Sequence, residues 1–353
     1  MPMPHSPSSP RLTFGAAAII AAVVAGSAAA FAYTAGWLSP QRLTPPKLVD
    51  ALAPPGGPAL GYRRNHAKGI CFTGTFESNG KGAELSQAQA FKAGQYPVLG
   101  RFNLGTPNPQ APDGTVRVRG MGLQIATPNG EVWRTAMINA PVFPVATPEA
   151  FYQLLHAAGS KDPEAMKSFV AAHPEFASFG AWAGDGAWTA SYAEEPYNGL
   201  NAFIFIDPSG TERAARWSLV PAAPAVTITQ AELEKRGPDY LEKEITERVR
   251  QAPQRWTMNV VIANPGDATA DPTKAWPADR RKIEVGTLVV QKIEAEADGS
   301  CRDVNFDPTV LPPGIRVSDD PFPAARSAAY ARSYDLRTAE SRYYPRTPAS
   351  PKP

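Results

Sequence analysis

The chain has 353 residues and 35 Lys and Arg against 33 Asp and Glu, a formal net charge of +2. That near-balance argues against nucleic acid as the main partner, which normally requires a concentrated basic surface. An apolar fraction of 43 % excludes a disordered chain, and 38 prolines, about twice the usual share, argue against an all-helical bundle.

The chain opens with a membrane signal. No charged residue occurs between Leu12 and Pro40, and Phe14 to Leu38 is a 25-residue apolar run rich in Ala and Gly. As a helix it is long enough to cross about 30 Å of hydrocarbon. Arg11 precedes it, and Tyr33 and Trp37 fall where an interfacial aromatic belt would sit. The length of the run favours an uncleaved anchor, while Ala30-Phe31-Ala32 offers the small-x-small pattern of a cleaved signal peptide. Both readings export the rest of the chain. The expectation is a single-pass inner-membrane protein with its larger part on the periplasmic side, or a soluble periplasmic protein after cleavage. Residues 1–38 form the tip and anchor, 39–60 a Pro-rich linker, 61–345 one folded domain, and 346–353 a Pro-rich tail.

Export gives the two cysteines, Cys71 and Cys301, an oxidising compartment. Two cysteines are too few for a disulfide-rich mini-domain or a cysteine-ligated zinc ribbon, and their separation leaves open whether they form a bridge or two buried thiols.

The folded part shows many short apolar runs. Ala202–Ile206 and Ala215–Val220 flank Asp207-Pro208-Ser209-Gly210, which predicts a hairpin around a proline-started turn. Trp256–Ile262 and Lys282–Val290 also read as strands. Helices are predicted over Thr147–Ala158, with Pro148 at its first position, over Asp162–Ala172, and over Asp239–Arg250. Thr229-x-x-Glu232 is a capping box, and Gly237-Pro238 ends the helix it opens. Strand runs with inserted helices, rather than regular βαβ units, predict an α+β fold with an antiparallel sheet or barrel. No GxGxxG, Walker or HExxH motif is present.

Three segments carry chemistry. The first is Arg63-Arg64-Asn65-His66-Ala67-Lys68-Gly69. The second is Asn139-Ala140-Pro141-Val142-Phe143. The third is Phe306-Asp307-Pro308-Thr309-Val310-Leu311-Pro312-Pro313-Gly314-Ile315, followed by Arg326 and Tyr330. Pro323 can open a helix there, and Arg326 and Tyr330, four residues apart, then share one helical face. Taken singly, each segment has an ordinary structural explanation: a solvent-facing histidine, a loop asparagine, a packed Arg–Tyr pair. In this order, across roughly residues 60–340, they resemble the haem-dependent catalase family. Arg101-Phe102 and Val116-Arg117-Val118-Arg119-Gly120 are similar to the family's strands after the distal histidine, and Glu284–Val289 to the stretch before the proximal helix. The chain lacks the C-terminal extensions of large catalases and, with its N-terminal run, looks like the small catalase-related peroxidases.

The resemblance implies a catalase-type barrel with surrounding helices, haem b (iron protoporphyrin) as cofactor, and a role for each matching residue. Tyr330 is the implied iron ligand, bound as phenolate. Arg326, one turn earlier, adds a fixed positive charge beside it. His66 is the implied acid–base catalyst, since one neutral imidazole can take a proton from peroxide and return it to the departing oxygen. Asn139 orients the peroxide by a hydrogen bond. Arg63, Arg101 and Arg337 are the implied partners of the haem propionates. Phe143 and Phe151 have equal claims to the macrocycle and to the core.

Two departures stand out. Where large catalases carry a serine near the second of those arginines, this chain has Asn103. Tyr334, one turn beyond Tyr330, is a rival ligand, although counting from Ile315 favours Tyr330. The implied function is a haem peroxidase acting on hydrogen peroxide or organic hydroperoxides with small organic donors, with weak catalase activity. The alternatives are a hydroperoxide-rearranging haem enzyme on the same scaffold and a non-enzymatic haem-binding protein.

Overall fold

A computed structural model describes residues 14–39 and 41–346. The N-terminal tip and the tail beyond Arg346, both named above, lie outside the described residues. The chain divides into two units at Thr44/Pro45. The first contains helix α1 (Phe14–Thr34), long and apolar enough to cross a membrane.

The second unit is built on an antiparallel barrel of eight strands. These are β1 (Gly69–Ser78), β2 (Gly94–Leu104), β3 (Arg119–Ala126), β4 (Val132–Ile138), β5 (Tyr197–Ile206), β6 (Glu212–Pro221), β7 (Gln254–Ile262) and β8 (Lys282–Glu294). Neighbours run β5-β4-β3-β2-β1-β8-β7-β6, and β6 pairs back onto β5, so the sheet closes and leaves no free edge among these strands. A short ninth strand, β9 (Ile315–Val317), pairs with β5.

The alternation of side chains explains the closure. Along β7, Trp256, Met258, Val260 and Ile262 are buried and the residues between them are not. Phe72, Phe76, Phe102, Met121, Trp133, Trp217 and Trp256 fill the same core, with Trp133 5.1 Å from Trp217 and Phe102 5.7 Å from Trp256 between ring centres. Each fully buried Phe stabilises the fold by about 1.5–3 kcal/mol. Gly100 makes room for the end of the Phe72 ring against β2, since a Cβ there would stand 2.0 Å from Phe72 Cζ.

The helices follow the sequence signals closely. Thr147 caps α3 (Pro148–Gly159) by accepting the N–H of Ala150, and Asp162 caps α4 (Pro163–Ala172) through Glu164. α5 (Phe176–Asp185) has no such signal. Its sequence, FASFGAWAGD, contains two glycines and no capping side chain. The capping box of Thr229 and Glu232 opens α6 (Gln230–Lys235), and α7 (Tyr240–Gln251) buries Leu241, Ile245 and Val249. α8 (Phe322–Ala339) begins with Pro323 in its first turn and carries Arg326, Tyr330, Tyr334 and Arg337. Within the Pro-rich stretch 39–60, Pro45–Ala51 forms helix α2, which buries Leu48 and Val49 and packs against α8. Val116–Val118, expected as strand, is irregular; β3 starts at Arg119.

Cys71 and Cys301 are joined by a disulfide, with Cα atoms 5.4 Å apart. It ties β1 to the loop between β8 and β9, and Tyr330 packs against the cluster of Cys71, Cys301 and Phe306.

Candidate active site

The site is laid out by two cross-strand rows on the barrel wall. In the first row Gly69, Asn103, Gly120 and Ile138 are in register across β1 to β4. Two residues along, the second row is Cys71, Arg101, Gly122 and Ala136. Arg101 and Asn103 flank core-facing Phe102, so they project from the opposite, outer face. In these two rows β3 is bare, because it contributes only Gly120 and Gly122. A Cβ on Gly120 would stand 2.3 Å from Asn103 Oδ1, and one on Gly122 2.8 Å from the Phe306 ring.

His66 precedes the first row by three residues. Its Nδ1 is 2.6 Å from Oδ1 of Asn103. The Asn103 amide nitrogen donates to the carbonyl of Arg101 at 3.3 Å, which fixes Oδ1 as the atom facing the ring. An amide oxygen only accepts, so Nδ1 must carry its proton and Nε2 is left bare as a base. Burial pushes the His66 imidazole down from 6.5 to about 4; the Asn103 hydrogen bond opposes this, and the positive charges of Arg101, Arg326 and Arg63 add to it. His66 is therefore neutral at physiological pH.

Asn139 follows the first row directly after Ile138. Its Oδ1 accepts the backbone N–H of Arg119 at 2.9 Å, and its Nδ2 donates to the Arg117 carbonyl at 3.4 Å. Arg119 is held in turn by Glu195, at 3.1 Å, and by Thr189. The carbonyl side of the Asn139 amide is thus spent on the backbone, and an N–H remains as its free donor.

On α8, Arg326 donates to Asn201 Oδ1 at 2.7 Å and to the Ala136 carbonyl at 2.9 Å, and its Nη2 lies 3.5 Å from Tyr330 Oη. Asn201 is anchored by Asp320 at 2.9 Å. The second row thus sets the arginine, and the arginine sets the tyrosine. Tyr334 lies one turn further along the helix, its ring beneath Arg337 at 4.8 Å. The histidine segment is fastened to α8: the Arg64 N–H donates to Ser333 Oγ at 3.1 Å, and the Arg64 guanidinium pairs with Glu340 at 2.6 Å.

Arg63, Arg101 and Arg337 form one cluster around Glu296. Arg101 grips that carboxylate with Nε at 2.7 Å and Nη2 at 2.6 Å, and Arg63 Nε stands 3.6 Å from it. Arg63 and Arg337 both donate to the carbonyls of Arg302 and Val304.

A catalase family model matches residues 34–344, nearly the whole of this structure. The chain belongs to the catalase family. It is 37 % identical over 302 residues to a catalase-related peroxidase of Synechococcus elongatus, covering 84 % of this chain and 89 % of that protein. It is 33 % identical over 303 residues to a catalase-related peroxidase of Mycolicibacterium paratuberculosis, covering 85 % and 96 %. Catalase A from Saccharomyces cerevisiae has the same fold, with a TM-score of 0.71 at 20 % identity over 78 % of this chain and 61 % of that one. A bacterial catalase, at 22 % identity and the same TM-score, is covered over 60 % of its length, so the chain spans about three-fifths of these solved catalases.

Membership of the catalase family implies haem, and the residues present fit it. The three arginines and one carboxylate leave an excess of two positive charges, which the two carboxylates of a protoporphyrin would neutralise. Arg63 Nε is buried and has no hydrogen-bond partner. Burial, with repulsion from Arg101, lowers the Arg63 guanidinium to about 9; Glu296 only partly offsets this, Arg337 lowers it further and Tyr330 raises it. The Arg63 guanidinium lies over the Phe306 ring at 5.9 Å, Tyr330 packs against the same Phe306 cluster, and the Arg64 N–H reaches Ser333 on α8, so both halves of the site meet around one region.

Not every residue singled out in the sequence enters that region by a contact. Phe143 packs with Phe151 at 5.5 Å and Phe322 at 4.8 Å, linking the Asn139 loop to the start of α8. Sequence reasoning missed Glu296 and Asn201. Glu296 sits in a loop segment, AEADGS, that matches none of the quoted motifs, and Asn201 reads only as a strand residue.

Proposed function

We propose that this chain is a haem-dependent peroxidase. It reduces hydrogen peroxide or organic hydroperoxides at the expense of small organic donors, with weak catalase activity. The observation that carries the proposal is the pairing of a neutral, tautomer-fixed His66 with an Arg326-supported Tyr330 in one region. Sequence identity above 30 % to two catalase-related peroxidases over most of their length supports it.

Tyr330 would hold the iron of haem b through its phenolate oxygen, with Arg326 stabilising that anion. Arg63 and Arg337, with Arg101 beside them, would face the propionates. Haem, when bound, supplies the redox chemistry of peroxide cleavage. His66 supplies proton transfer. Its bare Nε2 takes the proton from the peroxide and then returns it to the departing oxygen, so that water leaves rather than hydroxide. The Nδ1–H bond to Asn103 persists through both steps, because the amide oxygen accepts from imidazole and imidazolium alike. The free N–H of Asn139 would hold the peroxide in place. Phe143, through Phe151 and Phe322, would fix the loop that carries Asn139.

We further propose that α1 is an uncleaved single-pass anchor, placing residues 45–346 on the periplasmic side of the inner membrane. Its uniformly apolar surface, with Ile19, Ile20, Val23 and Val24 exposed, supports this.

The test is rapid mixing of the haem-loaded protein with peroxide, with and without a phenolic donor. Prompt spectral change followed by donor-dependent return supports the peroxidase. Isomerised product from a lipid hydroperoxide without donor consumption would favour the rearranging enzyme, and spectral inertness would favour a binding protein.

A further inference from the structure

We propose that the Cys71–Cys301 disulfide is a redox-operated positioning device for the haem site. It fastens the loop segment that seats Arg63 and Arg337, so that haem binds more tightly when the bridge is closed, and bound haem in turn holds the bridge closed. This rests on the haem reading of the site and adds a control over it.

The segment is 295–304, between β8 and β9. Each arginine implied for the propionates is bonded to it. Arg63 Nη2 donates to the carbonyls of Cys301 at 3.1 Å, Arg302 at 3.3 Å and Val304 at 3.2 Å. From α8, Arg337 donates to the carbonyls of Arg302 at 2.6 Å and Val304 at 3.2 Å. From β2, Arg101 reaches the Glu296 carboxylate at 2.7 and 2.6 Å. Three guanidinium groups from distant parts of the chain are thus set by one short segment. Arg63 keeps a buried Nε without a hydrogen-bond partner, which a carboxylate would satisfy.

The bridge is the covalent tie of this segment to the barrel wall. Cys71 on β1 stands in register with Arg101 on β2 and with Glu294 at the end of β8. Both cysteines are fully buried. The segment lies flush against the bridge, since a Cβ on Gly299 would stand 2.6 Å from Cys71 Sγ. Phe306 and Tyr330 pack against the same sulfurs, and the Arg63 guanidinium lies over the Phe306 ring. Other hydrogen bonds of the segment run to exposed or terminal groups: Ser300 to Glu294, Arg302 to the Tyr344 carbonyl, and Arg346 to Asp298 and Asp303.

Opening the bridge takes two electrons and two protons from a dithiol such as dithiothreitol. The S–S bond breaks through a mixed disulfide, leaving two cysteine thiols and the cyclic oxidised reagent. The carbonyls that seat Arg63 and Arg337 then lose their covalent tie to β1. Losing the aim of one charged hydrogen bond to a propionate should weaken haem binding by about tenfold. Binding and bridge formation are reciprocal. A tenfold preference for the bridged protein therefore lowers the bridge's midpoint potential by about 30 mV when the porphyrin is bound. In an oxidising compartment the bridge is closed and haem is held in its tighter state.

The experiment titrates full-length, haem-free protein in detergent with ferric protoporphyrin IX, with circular dichroism showing each protein folded. Replacing Cys71 and Cys301 together by serine should weaken binding by about tenfold. The control is Leu219→Ala, which removes a fully buried side chain of the barrel core outside the disulfide cluster and so lowers stability without opening the bridge. Its affinity should stay within about twofold of wild type. Dithiothreitol redox buffers then give the midpoint of the wild-type bridge with and without zinc protoporphyrin IX, which carries haem's carboxylates and is not reduced by thiols. The loaded protein should be harder to reduce by about 30 mV. The inference is overturned if the serine pair binds ferric porphyrin like wild type, if Leu219→Ala weakens binding as much as the serine pair, or if the midpoint is the same with and without porphyrin. Should the serine pair fail to fold, the midpoint comparison on wild type decides alone. Wild-type protein that takes up no porphyrin would sink the haem reading itself, a distinguishable result.

Discussion

Nδ1 of His66 lies 2.6 Å from Oδ1 of Asn103, and this contact decides which ring nitrogen is free to take a proton. Asn103→Ala removes the acceptor and lets the ring turn or exchange tautomers. The rate of reaction with peroxide should fall on the order of tenfold, a fraction of the ~10²–10⁴ that positioned acid–base catalysis contributes. Asn103→Asp keeps an acceptor but adds an anion beside the imidazole, which favours the protonated ring. The acidic limb of the pH–rate profile should then move up from about 4 toward neutrality. Stopped-flow rates across pH check both; equal profiles in all three proteins would show the contact to be idle.

The pH dependence of the unaltered protein follows from the same histidine. Its pKa is depressed from 6.5 to about 4, first by burial. The base form is the neutral ring, so the rate should be level above about pH 5 and fall as pH approaches 4. A surface histidine would give a midpoint near 6.5 instead. His66→Ala should keep its haem and react about 10²–10⁴-fold more slowly at pH 7. A haem-loaded His66→Ala protein of normal rate would remove His66 from the chemistry.

Two tyrosines on α8 make opposite predictions. Tyr330 is within 3.5 Å of Arg326, which is itself fixed to β4, whereas the Tyr334 ring is stacked under Arg337. Tyr330→Phe should lose haem or change its absorption spectrum. Tyr334→Phe should leave the spectrum as it is. The reverse result would transfer the ligand role to Tyr334.

The disulfide is a stability device close to the same helix. Cys71 and Cys301 are 230 residues apart in sequence, so their bond restricts a very long loop of the unfolded chain. Replacing both with serine should lower the unfolding free energy by about 2–5 kcal/mol. The denaturant midpoint of the haem-free protein measures this, and an unchanged midpoint would show the bridge to be energetically silent.

Much of this was legible in the residues themselves. Thr147, Asp162, Thr229 and Pro323 mark helix starts because capping and proline geometry are local, and the structure begins helices at or next to each. The hairpin around Asp207–Gly210 was visible for the same reason. The closure of the barrel, by β6 returning to β5, was not, because it depends on register between distant strands. Neither was the disulfide, since sequence separation carries no spatial distance. Motif order points to Tyr330 and His66, whereas Glu296 and Asn201 contact Arg101 and Arg326 across long sequence separations, and no local pattern announces those contacts.

The central claim is that one haem is held between Tyr330 and His66. It is tested most directly by titrating ferric protoporphyrin IX into the haem-free protein and following the porphyrin absorption band. Saturation at one porphyrin per chain, with an absorption spectrum that Tyr330→Phe alters and His66→Ala leaves bound, is the predicted result. No saturable uptake, or uptake indifferent to Tyr330, would contradict it.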